Sequence, residues 1–274
     1  MHKESVLKKE IDLNNTNKYR LSIQLGLNGF SFSIKDRFGY HVLEYQQYED
    51  IRANGIEKEF EQFIEKNEIL KNEYQSVSII IDSPKYTLVP RDKFEADSIL
   101  ESFNLLHELK ETESLNYINY LDVVVVYTCE KSLKKIISKY YPDAHIIPSL
   151  ISILYYAEYT QEIEYQVLIH KTSETQVEIL LHHNKELLLC NSYTCTSNTD
   201  IIYYTLNAIK SFGIEFDKCR LIYSGEFSEL EVLKPLLDYL SSVQPIRIIQ
   251  PIRNIDRETA QRHLVNLLNT DLCE

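Results

Sequence analysis

Leu21, Ile23 and Leu25 alternate with Ser22 and Gln24, and after Gly26-Leu27-Asn28-Gly29 the alternation resumes, with Phe30, Phe32 and Ile34 set against Ser31 and Ser33. A period of two puts successive side chains on opposite faces of a strand. Asp36-Arg37-Phe38-Gly39 then turns the chain into a third strand near residues 40–48, which completes an antiparallel three-stranded meander. The first 18 residues are polar and charged and read as a loose lead-in. Beyond the meander the period changes. Ile56, Phe60, Phe63 and Ile64 fall at i, i+4, i+7 and i+8, the spacing of one buried helix face, with Asn54 placed to cap it. The nearly unbroken apolar run of residues 77–81, closed by Asp82, reads as a strand covered on both faces. Residues 86–89 extend the sheet, and a helix over 93–107 leads through a polar stretch to the strand 123–126. A helix with Leu133, Ile136, Ile137 and Tyr140 on one stripe, a short strand over 144–147 and a helix over 150–159 end the first half.

The order then restarts. Strands are expected over 165–169, 175–181 and from 186 through Cys190, with turns at Lys171-Thr172-Ser173-Glu174 and His182-His183-Asn184-Lys185. A helix over 199–212 uses Ile202, Leu206 and Ile209, and Gly213 suits the left-handed position that ends a helix. A strand over 220–223 and a helix carrying Leu230, Leu233 and Leu237 follow. A strand near 246–249 and a last helix with Ala260, Leu264, Leu267 and Leu268 close the chain. Both halves therefore read β-β-β-α-β-α-β-α, an internal duplication visible in element order rather than in residue identity. A meander followed by βα units gives a mixed sheet with helices packed on it. The expected domains are 1–159, including the lead-in 1–18, and 160–274, with a cleft between them.

The length fits this division, because 274 residues suit two domains of roughly 100–150 residues each. The net charge of −12 repels nucleic acid and anionic lipid at long range. No apolar run reaches the ~20 residues of a membrane helix, and Met1-His2-Lys3-Glu4 opens no signal-peptide core. A cytoplasmic protein is expected. The five cysteines, Cys129, Cys190, Cys195, Cys219 and Cys273, form no Cys-x-x-Cys pair, and Cys190 and Cys195 sit at an odd separation that puts them on opposite faces of a strand. They read as buried or incidental thiols rather than a zinc site or a disulfide framework. Glycine is scarce, six residues in 274, about 2% against roughly 7% on average. A phosphate loop needs glycine so that backbone N–H groups can approach the ligand, and neither nucleotide-binding glycine motif occurs in this chain.

The run Leu21-Ser22-Ile23-Gln24-Leu25-Gly26 opens the first meander, and Leu221-Ile222-Tyr223-Ser224-Gly225 precedes a helix in the second half. With the doubled element order, these runs resemble the actin-like ATPase superfamily, which also holds sugar kinases and heat-shock chaperones. Within it the pilus-assembly and division members are the nearest by pattern. Residues 21–34 more closely resemble an uncharacterised bacterial family, a domain of unknown function that shares this fold. The resemblance implies an α/β, ribonuclease H-like fold of duplicated β-β-β-α-β-α-β-α domains with mixed sheets. It also implies that residues 21–26 form the first phosphate hairpin and residues 221–225 the loop that supports adenosine. By the same comparison Gln24 stands where an acidic residue belongs, and Leu168-Ile169-His170 stands where the second hairpin has Asp-x-Gly. Gly225 is followed by Glu226 rather than by a second glycine.

If the resemblance holds, Gln24, Gly26, Asn28, Thr172, Ser173, Thr175 and Gly225 line the mouth of the cleft. The plainer reading is that Asn, Ser, Thr and Gly are there because they suit turns. Asp82-Ser83-Pro84 ends a buried strand, where α/β proteins place ligands, but reads first as turn chemistry, because Asp and Ser before Pro start turns. His182-His183 looks like a metal pair but reads as a solvated turn, and His170 reads either as an anion ligand or as a structural histidine. In each of the pairs Tyr140-Tyr141, Tyr155-Tyr156 and Tyr203-Tyr204 one ring is expected in the core. The functional expectation is a non-catalytic actin-like protein, a scaffold or interaction module with a protein partner and a degenerate nucleotide site. ATP with Mg²⁺ is possible but not favoured. The alternatives are a weak ATPase or kinase, and a small-molecule sensor that uses the cleft.

Overall fold

The computed structural model describes residues 3–8, 12–26, 29–36, 42–49, 56–83, 85–120, 122–159, 165–184, 186–225, 227, 230–248, 258, 260–261 and 264–269. Asn28 and Asn54 lie outside them. The chain divides into two units, Met1–Ile151 and Ser152–Glu274.

In the first unit the meander is β2 (Arg20–Leu25), β3 (Gly29–Lys35) and β4 (Val42–Glu49). A strand in the segment expected to be loose, β1 (Lys3–Lys8), pairs antiparallel with β4. Its six residues, Lys-Glu-Ser-Val-Leu-Lys, are too short and too charged to show a period, and pairing with an open sheet edge supplies what the pattern lacks. Helix α1 (Ile56–Lys66) leads to β5 (Ser76–Ile81), which pairs parallel with β2. After an inserted segment, helix α3 (Lys131–Tyr140) leads to β9 (His145–Pro148). The sheet order is β1-β4-β3-β2-β5-β9. Leu21, Ile23, Leu25, Phe30, Phe32 and Ile34 face α1 and α3 and form one core with Phe60, Phe63, Leu133 and Ile137. Phe30 meets the rings of Phe60 and Phe63 at 5.6 Å each, a spacing at which edge and tilted aromatic contacts are favourable.

The insert corrects the expected course of the chain. Residues 86–89 do not extend the main sheet. β6 (Tyr86–Pro90), β7 (Glu113–Tyr120) and β8 (Val123–Glu130) form a separate antiparallel sheet of order β6-β8-β7, with α2 (Ile99–Leu106) packed on it through Ile99 and Phe103. The helix is shorter than 93–107 because residues 91–93 form a separate 3-10 turn. The polar stretch after it is a strand that shows no single alternation, because Leu115 and Tyr117 fall on one face and Ile118 and Tyr120 on the other, among Ser and Asn residues.

The second unit repeats the main sheet without the extra edge. β10 (Tyr165–Lys171), β11 (Gln176–His183) and β12 (Glu186–Thr194) form its meander, β13 (Cys219–Gly225) and β14 (Ser242–Pro245) pair parallel, and the order is β12-β11-β10-β13-β14. The last strand lies four residues before its expected place, and Ile246 continues it only through its N–H to the Tyr223 carbonyl. Helix α5 (Asn198–Ser211) starts with a reciprocal capping box between Ser197 and Asp200. It ends at Gly213, which has φ +68° and donates to Lys210 O, while Ile214 donates back to Ile209 O. This is the Schellman closure, in which a left-handed residue lets orphan carbonyls be satisfied. The buried face of α5 is Ile201, Thr205, Ala208 and Ile209, one residue round from the stripe expected at Ile202 and Leu206. The segment Leu230–Asp238 is a 3-10 helix, not an α-helix. Pro235 lies inside it and lacks an N–H, and with three residues per turn it is Leu233 and Leu236 that point inward while Leu237 is exposed.

Helix α4 (Ser149–Tyr159) contains the division between the units, and α6 (Val265–Asn269) is the last described element. Tyr141 and Tyr156 are buried beside their more exposed neighbours, and Tyr203 is exposed next to a half-buried Tyr204. Because Phe60 is wholly buried in this core with its ring against Phe30, Phe60→Ala should cost about 3–5 kcal/mol, read as a lowered midpoint of urea unfolding. A loss below about 1 kcal/mol, the scale of an exposed position, would contradict this account of the first core.

Candidate functional site

In each unit the end of a parallel strand meets the tip of the meander's first hairpin. In the first unit, Leu25 of β2 registers with Ile81 of β5, so the next residues, Gly26 and Asp82, emerge side by side. The backbone closes on itself there. Asp82 N–H donates to Leu25 O at 3.1 Å, and Gly26 N–H donates to Gly29 O at 2.9 Å. Asp82 is buried, and the Gln24 amide donates to its two oxygens at 3.2 and 3.4 Å. A Cβ on residue 26 would stand 3.1 Å from Asp82 Oδ2 and 3.2 Å from Gly29 O, so glycine leaves room for the carboxylate. Ser83 is also buried, donates to Lys85 O at 3.0 Å and meets Thr128 Oγ1 at 3.3 Å. Asp82 therefore ends its strand as a buried acceptor, more than a turn former. The structure brings Gln24, Gly26 and Asp82 together.

In the second unit Thr172, Ser173 and Thr175 form the hairpin tip between β10 and β11. The N–H groups of Thr172 and Ser173 both donate to Gln176 O, at 3.1 and 3.4 Å, and Thr175 N–H donates to Ser173 Oγ at 3.3 Å. Three of the loop's backbone donors are thus used within the loop. Gly225 registers with Lys171 and has φ +91°. A Cβ there would lie 2.1 Å from Lys171 O, so close backbone approach is what requires glycine. Phe227, buried just beyond, has its N–H on Gly225 O at 2.9 Å and its ring against Tyr223 at 5.9 Å.

His170 is the residue with the most developed surroundings. It is buried, with Nδ1 2.8 Å from Ser224 Oγ and Nε2 3.2 Å from Asn266 Nδ2. Ser152 Oγ donates to Asn266 Oδ1 at 2.6 Å, which turns the amide NH₂ toward the ring. Nε2 therefore accepts, the proton sits on Nδ1, and the imidazole donates to Ser224. A general base that activates a serine must accept from it, so this contact has the opposite polarity; the ring ties β10 to β13 through Ser224 and to the helix of residues 265–269 through Asn266. Ser152 and Asn266 escaped the sequence reading. Their signal was a lone polar residue in the apolar runs Leu-Ile-Ser-Ile-Leu and Leu-Val-Asn-Leu-Leu.

His182 and His183 lie in β11, not in a turn. Strand alternation sends them to opposite faces. His183 stacks on Tyr165 at 3.9 Å, while His182 is buried in register with Gln166. They cannot converge on one ion. Neither His182 Nε2 nor Gln166 Nε2 has a hydrogen-bond partner. Among the described residues no group of three His, Cys, Asp or Glu side chains could hold a metal. Burial pushes the thiols of Cys129, Cys195 and Cys219 up to about 11, so they remain protonated and poor ligands. No helix among the described residues is long and apolar enough to cross a membrane.

These sheets and strand ends define a protein of the actin-like ATPase fold. A Bacteroides thetaiotaomicron protein with an actin-like ATPase fold and unknown function superposes with a TM-score of 0.82 at 22% identity, over 97% of this chain and 100% of that one. The PilM–PilN type IV pilus biogenesis complex matches at a TM-score of 0.56 and 11% identity, over 93% and 98% of the two chains. No curated protein matches the chain. Residues 8–243 match the family of proteins of unknown function DUF3822, and the chain belongs to that family.

Two substitutions test the second unit. Gly225→Ala should destabilise it by at least about 3 kcal/mol, because both the close approach and the positive φ must be broken; unchanged unfolding would contradict the Lys171 contact. Burial lowers the His182 pKa from 6.5 to about 4. Between those values the unfolded chain binds more protons, so stability is full above pH 6.5 and falls as the pH drops toward 4. The loss reaches about 3 kcal/mol. Urea titrations across this range should show His182→Leu losing less than the parent chain, and parallel curves would refute the assignment.

Proposed function

We propose that this chain is a non-catalytic protein of the actin-like fold that works in the cytoplasm as a scaffold or interaction module for another protein. Its two actin-like domains are residues 1–159 and 160–274, and its nucleotide site is degenerate. The observation that carries the reading is His170. In the resembling family its place belongs to a glycine beside a phosphate, whereas this imidazole is buried and engaged on both nitrogens by Ser224 and Asn266.

The remaining residues support the same reading. Magnesium triphosphate needs hard oxygen ligands and backbone N–H groups aimed outward. The second hairpin has Leu168 where the acid belongs, and the N–H groups of Thr172, Ser173 and Thr175 are turned inward. In the first unit Asp82 is a carboxylate at a strand end, and Gln24, itself in place of an acid, donates to it. These groups do not fit Mg·ATP, and no catalytic step is derived through it. The net charge of −12 weighs against a nucleic-acid partner. An actin-like protein used as part of an assembly has a parallel in the PilM–PilN complex.

Asp82 is the one observation that favours the rival reading, a weak ATPase or kinase. The experiment is phosphate release from ATP with Mg²⁺, run beside thermal melts with and without nucleotide. A ligand that binds only the folded state raises the melting temperature. The proposal predicts no turnover and no shift. Mg²⁺-dependent turnover that Asp82→Ala abolishes would replace it with the enzyme. A small molecule found by native mass spectrometry in the purified protein would replace it with a sensor.

A further inference from the structure

The three-stranded sheet of the insert has two outer edges, and they are treated differently. β6 is five residues long, ends in Pro90, which has no N–H, and has its Tyr86 carbonyl bonded by His107 Nε2 at 2.8 Å. β7 is eight residues long and pairs with β8 without a break, from Glu113↔Glu130 to Tyr120↔Val123. Among the described residues no strand lies beyond it. An open edge exposes a row of N–H and C=O groups, and proteins usually blunt it with charge, proline, a bulge or short length. The other described edges are blunted in these ways. β9 and β14 are four residues long and end in proline, β1 contains Lys3, Glu4 and Lys8, and β12 is bulged at Leu188, since Leu181 pairs with Leu189 and His182 with Leu187. β7 has no proline, no bulge and full length, and its one charge, Glu113, sits at its first residue and is paired with Lys85 at 2.8 Å. Residues 114–121, Ser-Leu-Asn-Tyr-Ile-Asn-Tyr-Leu, carry no charge and no proline in a chain where 26% of residues are charged. Tyr117, at the strand's middle, is 60% exposed and rests on Phe94 at 5.4 Å.

We propose that β7 is a self-association edge: two copies of this chain pair antiparallel through β7 about a two-fold axis at Tyr117. Charge selects a second copy as the occupant. Two chains of net charge −12 repel across most of their surfaces, and like charges directly opposite on paired strands are destabilising. About Tyr117 the pairing sets Ser114 against Tyr120, Leu115 against Asn119, Asn116 against Ile118, and Tyr117 against itself. No charge meets a charge. The two tyrosines become a cross-strand aromatic pair, each backed by its own Phe94, and the interface is self-complementary, as a two-fold dimer requires. The six strands of the two inserts then form one continuous sheet.

Sedimentation velocity of the full chain from micromolar to submillimolar concentration tests this. A concentration-dependent monomer–dimer equilibrium is expected. Tyr117→Lys, which sets two like charges face to face, should leave only monomer, and its melting temperature should equal that of the parent at dilutions where the parent is monomeric too, because the side chain it replaces is exposed. Tyr117→Phe should keep the dimer. A short bis-maleimide should couple two copies of a Tyr117→Cys variant and not of a Tyr203→Cys variant, which carries its thiol on α5. A chain that stays monomeric throughout, a dimer that survives Tyr117→Lys, or equal coupling of the two cysteine variants would overturn the proposal.

Discussion

Where a parallel strand ends beside a hairpin tip, backbone donors and acceptors from both arrive in one small volume, and each buried one needs a partner. Most of this protein's character follows from how that demand is met. In the first unit the Leu25 and Gly29 carbonyls take the N–H groups of Asp82 and Gly26, and the Gln24 amide turns to the Asp82 carboxylate. In the second, Gln176 O takes two loop N–H groups, Lys171 and Gly225 close to backbone contact, and an imidazole ties the strand end to α6. Partners supplied by the protein itself stiffen both strand ends. On the proposed reading they also take the donors that a phosphate would use.

Much of the architecture was legible because the core is patterned at two clear periods. The alternation at residues 21–25 and 30–34 and the stripe of Phe60, Phe63 and Ile64 are each decided by one packed face. The readings failed where a neighbour, not the local pattern, decides. β1 depends on the β4 edge, and β7 depends on β8, whose unbroken valines reveal a strand without saying which sheet it joins. Leu230–Asp238 keeps its apolar residues, but Pro235 changes the turn and with it the inward set.

The candidate site was legible one residue at a time. Gln24, Gly26 and Gly225 could be picked out by residue type at a turn, and Asp82 by its place after an apolar run. Their mutual contacts could not, because Gln24 and Asp82 meet across 58 positions of sequence and His170 and Asn266 across 96. The duplication ties these sites together. Gly26 and His170 each follow the last core residue of their strand, Leu25 and Ile169, although the parallel pairing stops before Gly26 and Asp82 and runs one step past His170 and Ser224. Between the two copies a small residue with a carboxylate has been exchanged for a large polar ring with a hydroxyl.

The central claim is that the second strand end is filled by His170 and its own partners. The most direct measurement is nitrogen NMR of the His170 ring, assigned with His170→Gln, before and after addition of Mg·ATP. The account predicts a neutral ring protonated on Nδ1, with signals that nucleotide leaves in place. A proton on Nε2, or ring signals that move saturably with Mg·ATP, would contradict it.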